Sequence, residues 1–169
     1  RLMSRGLGDV YKRQIFFSFI LYSQELPVDY LTSDFHFERR NEVRKMMPKN
    51  SVAVYFSNPV RNRANDVNYH YHQDPNFYYL TGLKEPNSML LIFKDSRYID
   101  NIETNEVLFV QERNPSKEQW DGYRLGVSGA KKKLKVNHVM YNSDFKNLKI
   151  DFGLFYKVLF FNFHNDIRD

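Results

Sequence analysis

The sequence predicts an α/β fold with one mixed β-sheet flanked by helices, and three observations predict it. Short runs rich in β-branched and aromatic residues recur at 51–56, 89–93 and 107–111, a composition that suits strands. Around them lie segments with helix-start residues, polar faces and Gly or Pro stops, so strands alternate with helices as in an α/β layer structure. The 169 residues, 42% hydrophobic and 17% aromatic, suffice for the core of one ordinary domain and exclude an intrinsically disordered chain.

In chain order, residues 24–34 read as an extended arm carrying Leu26 and Pro27, and residues 35–169 as the domain itself. Ser33 or Asp34 offers an N-cap for a helix to about Met47. Val43, Met46 and Met47 fall at i, i+3 and i+4, while Glu38, Arg39, Arg40, Glu42, Arg44 and Lys45 supply the wet face; Pro48 stops the helix. Residues 51–56 form a short buried strand. Residues 57–76 are a long polar segment with two prolines and five asparagines, a length of irregular chain that is uncommon unless functional. Strands follow at 77–80, 89–93 and 107–111, with turns at Gly82 and over 94–105. Ser116 to Gln119 has a capping-box pattern, so a short helix is expected to carry Trp120 and end near Gly126. A helix over 128–135, a strand over 138–141, a helix begun by Ser143 and a strand over 158–163 complete the reading. The chain stops just after that strand, so the fold is expected to be incomplete at its carboxy-terminal end, with an exposed sheet edge and poor stability in isolation.

The net charge of +5 invites a nucleic-acid partner, but +3 of it comes from residues 1–14. That segment, ending Asp9-Val-Tyr-Lys-Arg-Gln14, resembles the translation of a sequencing adapter and is set aside from the fold reasoning. The remaining balance is +2, and Lys131, Lys132 and Lys133 read as a solvated helix face, so no nucleic acid is expected. Residues 15–23, with the uncharged run from Ile15 to Tyr22, are too short to span a bilayer. They fit the tail of a partial signal peptide, with a buried strand or helix start as the alternative; export to a periplasmic or extracellular space follows from the first reading. The chain has no cysteine, which removes disulfides, thiolate nucleophiles and Cys-based zinc sites. No Gly-x-Ser-x-Gly elbow, phosphate-binding Gly-Lys-Ser/Thr loop or His-Glu-x-x-His motif is present.

Three constellations could carry chemistry. His70, His72 and Asp74 alternate as metal ligands on a strand would, yet no further strong ligand lies nearby, and they read as an ordinary loop or strand pair with no metal expected. Asp66, preceded by Arg61 and Arg63, can form a local ion pair of little energetic weight when exposed. Trp120, the only tryptophan, is either a core residue or a functional one; its neighbours Lys117, Glu118, Asp121 and Arg124 make burial costly.

The run containing Arg63, Asp66, Tyr69, Tyr71, Gln73, Asp74, Asn76, Phe77, Tyr79, Leu80, Thr81 and Gly82 is followed by Glu85-Pro86 and a hydrophobic strand. Together with Trp120-Asp-Gly-Tyr-Arg-Leu-Gly126 it resembles the amino-terminal domain of aminopeptidase P, the Xaa-Pro aminopeptidases. The resemblance implies a creatinase/aminopeptidase P amino-terminal-domain fold. It implies a manganese metallopeptidase as parent, with two Mn2+ ions held by Asp, Asp, His, Glu and Glu of a carboxy-terminal catalytic domain that these residues do not include. No catalytic residue and no metal ligand is therefore expected in this chain. The implied partners are that catalytic domain, proline-containing peptides and further copies in a homo-oligomer. Asp66 would brace the active site from across the domain interface, and Trp120 would line the substrate pocket of a neighbouring subunit. A stand-alone binding or assembly module, and a related creatinase-fold C–N hydrolase such as a prolidase, are the alternatives.

Overall fold

The computed structural model describes residues 31–148 and 150–160. The adapter-like segment 1–14, the signal-peptide reading of 15–23, most of the 24–34 arm and the end of the strand expected at 158–163 lie outside the described residues.

Helix α1 (Ser33–Met46) opens the fold, one residue earlier than a cap at Ser33 would allow. Its N-cap is Thr32, whose hydroxyl accepts from the Phe35 N–H at 3.3 Å. Strand β1 (Ser51–Phe56) follows, then a small hairpin of β2 (Asn62–Ala64) and β3 (Val67–Asn68) inside the segment expected to be irregular. Helix α2 (Pro75–Thr81), the long hairpin β4 (Met89–Ile99) and β5 (Ile102–Val110), helices α3 (Pro115–Asp121) and α4 (Gly126–Leu134), strand β6 (His138–Tyr141), two short 3-10 turns and edge strand β7 (Lys157–Phe160) complete it. The sheet runs β6-β5-β4-β1-β7. β1 and β5 are antiparallel to β4, while β7 joins β1 and β6 joins β5 in parallel. The mixed sheet flanked by helices is thus the architecture the sequence predicts.

Alternate residues of the strands feed two cores, as the pleat requires. On one face Ala53, Leu90, Ile92, Leu108 and Val139 meet Met47, which caps the end of α1, and Phe77, Leu80, Ala130 and Leu134 from α2 and α4. On the other, Val52, Leu91, Phe93, Val107 and Phe109 are covered by Phe155 and the chain of the 3-10 turns. Because both faces of β4 are covered, its first five residues are all buried, and full burial of each such apolar side chain is worth about 1.5–3 kcal/mol. Among the described residues β7 is an edge strand, with Phe160 exposed.

Four local expectations are corrected. Residues 77–80 are helical, not a strand: Asp74 caps α2 by accepting from the Phe77 N–H at 2.8 Å, Pro75 occupies its first turn, and Gly82 at φ 71° ends it. That Pro-first, Gly-last arrangement outweighs the β-propensity of Phe-Tyr-Tyr. Residues 94–105 are not a loop, because β4 and β5 continue to a two-residue turn at Asp100 and Asn101, both with positive φ. α3 is capped by Asn114 rather than by a box at Ser116, and ends at Asp121, where Gly122 follows. The helix expected at Ser143 is a 3-10 turn, Asn142–Asn147.

The largest departure concerns α1. Arg40, assigned to the wet face, is 0% exposed, whereas Met46, assigned to the apolar face, is 78% exposed. The Arg40 guanidinium donates to Glu106 of β5 through Nε at 2.9 Å and Nη2 at 3.2 Å. It also donates to the Leu80 carbonyl at 2.8 Å and the Lys135 carbonyl at 2.6 Å. Arg44 adds a third bond to Glu106, at 3.0 Å. Paired and fully hydrogen-bonded, the charge is tolerated where an unpaired one would not be.

His138, at the start of β6, is buried with Nδ1 unpartnered. Burial holds its pKa below the ordinary imidazole value, with repulsion from Lys131 adding to the effect and attraction to Asp100 opposing it. Above the unfolded-state pKa of about 6.5 both states are neutral and nothing is lost. Below it the unfolded chain takes up a proton that the folded chain refuses, so stability falls as pH drops from there toward the folded pKa. The urea midpoint is therefore expected to drop between about pH 7.5 and pH 5, and to drop less in His138→Gln; equal drops would remove His138 from the account.

Candidate functional site

An open cleft of roughly 1270 Å³ lies where β5 and β6 end and β4 begins. One wall is the chain leaving β3, with Tyr69, His70 and Tyr71. The other is α3, with Lys117, Trp120 and Asp121 and, just beyond, Arg124. Lys84, Pro86 and Asn87 lie between them.

The first wall is held by Gln73. Its Oε1 accepts from the N–H groups of Asn58 at 3.1 Å and Asp74 at 2.9 Å and from the Tyr71 hydroxyl at 2.9 Å. Its Nε2 donates to the carbonyls of Leu83 at 3.1 Å and Glu85 at 2.9 Å. Burial pushes the Tyr71 phenol up to about 12, so it stays a neutral donor at physiological pH. The second wall hangs on α3, none of whose residues is buried. Arg113 grips Glu118 through two bonds, 3.1 and 3.0 Å, and lies over the Tyr123 ring at 4.6 Å. The pair holds the Glu118 carboxyl below its usual range and the Arg113 guanidinium above it, the mutual hydrogen bonds being the main cause. Glu85 bridges toward this wall, its Oε1 accepting from the Leu125 N–H at 2.7 Å. Burial raises the Glu85 pKa.

Such a cleft can bind and orient; its aromatic rims and cationic side chains offer no paired nucleophile and base among the described residues. Trp120, 88% exposed, with Tyr69 and Tyr123 also exposed, presents apolar surface of the kind that partner interfaces cover.

A family profile described as aminopeptidase P, N-terminal domain, matches residues 36–151. The chain belongs to this aminopeptidase P N-terminal domain family. It is similar to a Xaa-Pro aminopeptidase of Haemophilus influenzae, 39% identical over 64% of this chain and 24% of that protein. It is also similar to intermediate cleaving peptidase 55 of Schizosaccharomyces pombe, 38% identical over 62% of this chain and 21% of that one. Among solved structures, aminopeptidase P from Escherichia coli with the inhibitor Pro-Leu superposes with a TM-score of 0.60 at 32% identity, covering 69% of this chain and 26% of that one. PepP from Pseudomonas aeruginosa gives 0.62 at 30%, covering 69% and 25%. The chain thus spans about a quarter of the length of these relatives.

Within this aminopeptidase P domain, the structure separates the two residues singled out from sequence. Trp120 lines the cleft, and its exposure removes the core-packing reading. Asp66 lies outside the cleft lining, exposed in the turn between β2 and β3. His70 lines the cleft; its ring and that of His72 meet edge-on with centroids 5.3 Å apart, both exposed. Asp74 is spent on capping α2. Among the described residues no group of three or more His, Asp or Glu could hold a metal; the manganese that the family resemblance implies belongs to the catalytic domain, whose ligands these residues do not include. Gln73 and Glu85 were not recognised from sequence as the residues that hold the cleft. The signals were there: an amide directly before the Asp-Pro helix start, and a carboxylate directly before Pro86, in a stretch where neither is needed for a strand.

Proposed function

We propose that this chain is the amino-terminal, non-catalytic domain of a Xaa-Pro aminopeptidase, in which a following metallopeptidase domain with two manganese ions removes an amino-terminal residue preceding proline. The observation that carries this reading is the family match over residues 36–151, which includes the whole run from Asp66 to Gly82 and Trp120. Proline lacks the amide N–H that ordinary proteases hold, so a dedicated enzyme is needed. The domain's part is to gate and shape the substrate site. Trp120, projecting from a helix that buries nothing, is suited to pack against substrate in a neighbouring subunit of a homo-oligomer, and Asp66, at the tip of a hairpin, to meet a cation of the catalytic domain. Export, read from residues 15–23, belongs to the same proposal.

The full-length protein is expected to show manganese-dependent release of the first residue from an Xaa-Pro peptide, and residues 24–169 alone to show none. Turnover by residues 24–169 would overturn the assignment of catalysis to another domain. A full-length protein that cleaves only Xaa-Pro dipeptides would move the reading to a prolidase.

A further inference from the structure

Glu85 is placed to join the two walls of the cleft. Its side chain accepts from the Leu125 N–H at 2.7 Å, in the link between α3 and α4, and its own carbonyl accepts from Gln73 Nε2 at 2.9 Å. Gln73 in turn holds the Tyr71 hydroxyl. One residue thus receives a hydrogen bond from each side of the cleft. On the α3 side the wall is otherwise held by the Arg113–Glu118 pair and by the partly buried Leu125 side chain packed against the core. α3 has no buried residue, and it ends in a link bounded by Gly122 at φ 86° and Gly126 at φ 60°, residues whose backbone freedom makes poor anchors. Glu85 itself is 7% exposed, and its second oxygen, Oε2, is buried with no partner. A carboxylate taken out of water for a single side-chain bond is a costly arrangement, and the position it fixes is Leu125, in the link that follows the helix bearing Trp120.

We propose that Glu85 is a positioning residue, which sets the spacing of the cleft walls and, through the Leu125 N–H, the placement of Trp120. The proposal rests on reading Trp120 as a substrate contact. Glutamine at this position keeps an acceptor oxygen for the Leu125 N–H; alanine removes it. Glu85→Ala in the 169-residue chain is expected to speed amide hydrogen exchange at Leu125 on the order of tenfold, leaving β4 and β5 unchanged, as local rather than global opening predicts. It should also lower the fluorescence anisotropy of Trp120. Glu85→Gln is expected to restore both. In the full-length protein, Glu85→Ala should raise KM for an Xaa-Pro peptide several-fold with kcat held within about twofold, because uniform binding is what Trp120 supplies.

Unchanged exchange at Leu125, faster exchange spread equally through β4 and β5, or a Glu85→Gln variant that behaves like Glu85→Ala would each overturn the proposal. The exchange readout is independent of the reaction. If Trp120→Ala leaves KM unchanged, the substrate-contact reading of Trp120 fails, while exchange at Leu125 still decides whether Glu85 holds the wall.

Discussion

Replacing Arg40 by alanine is expected to destabilise the domain by about 3–5 kcal/mol, the range found when one member of a buried ion pair is removed. The reason is what remains. Glu106, 0% exposed, keeps only the single bond from Arg44, and the carbonyls of Leu80 and Lys135 lose the donor that satisfies them. Because single domains are stable by only about 5–15 kcal/mol, a loss of this size should shift the urea midpoint far enough to leave unfolded chain at 37 °C. Arg44→Ala serves as the comparison. Arg44 retains partial exposure, and its other bond, to Asn41, is local. Its removal also leaves the Arg40 pair intact, so the loss should be less than half as large. An Arg40→Ala protein within about 1 kcal/mol of wild type would show that the network contributes nothing that water cannot replace.

The second large effect is expected at Gly82. Its backbone sits at φ 71°, and a Cβ built there would lie 2.8 Å from Cδ2 and Nε2 of His36. The left-handed conformation costs an L-residue about 1–2 kcal/mol, and forcing an atom into a packed site costs about 1–3 kcal/mol more. His36 cannot swing aside freely, since it is 3% exposed and its Nδ1 lies 2.8 Å from the Tyr79 carbonyl, a bond between α1 and α2. Gly82→Ala is therefore expected to lose about 2–5 kcal/mol, measured by urea denaturation. In a double-mutant cycle with His36→Ala, the steric part should disappear and the backbone part remain. Strict additivity of the two substitutions would mean that the close approach to His36 carries no energy.

The Arg40 effect falls where the sequence is least legible, whereas the turn at Gly82 is visible in it. The sheet was legible because β1 and the first half of β4 are buried on both faces, so their residues are apolar whichever way they point. α1 was legible as a helix but not in its orientation. Its buried stripe runs His36, Arg40, Val43 and Met47, and two of those four are polar. Arg40 is satisfied by Glu106, Leu80 and Lys135, 40 to 95 residues away in the chain, and His36 meets the Tyr79 carbonyl, 43 residues away. No local pattern can announce a partner at that distance. At 77–80 the sequence carries two opposed signals, the strand propensity of Phe-Tyr-Tyr and the Asp-Pro start and Gly stop of a helix, and the caps prevail. In the cleft, Trp120 stood out because a lone indole among charges is anomalous, whereas Glu85 and Gln73 became meaningful only when the hairpin β4–β5 brought the link before α4 against the turn after α2.

The strand order has a consequence for how the chain is made. β1 finds β4 within about a quarter of the chain's length from its own position, but its other neighbour, β7, is not synthesised until Lys157–Phe160. At about 5–20 residues per second, the hundred or so residues between β1 and β7 take about 5–20 s to emerge. Throughout that interval one side of β1 has its N–H and C=O groups unpaired beside an apolar face. The nascent chain thus carries an adhesive edge for seconds, and its safe passage depends on how quickly α1 and the β4–β5 hairpin close over the other side.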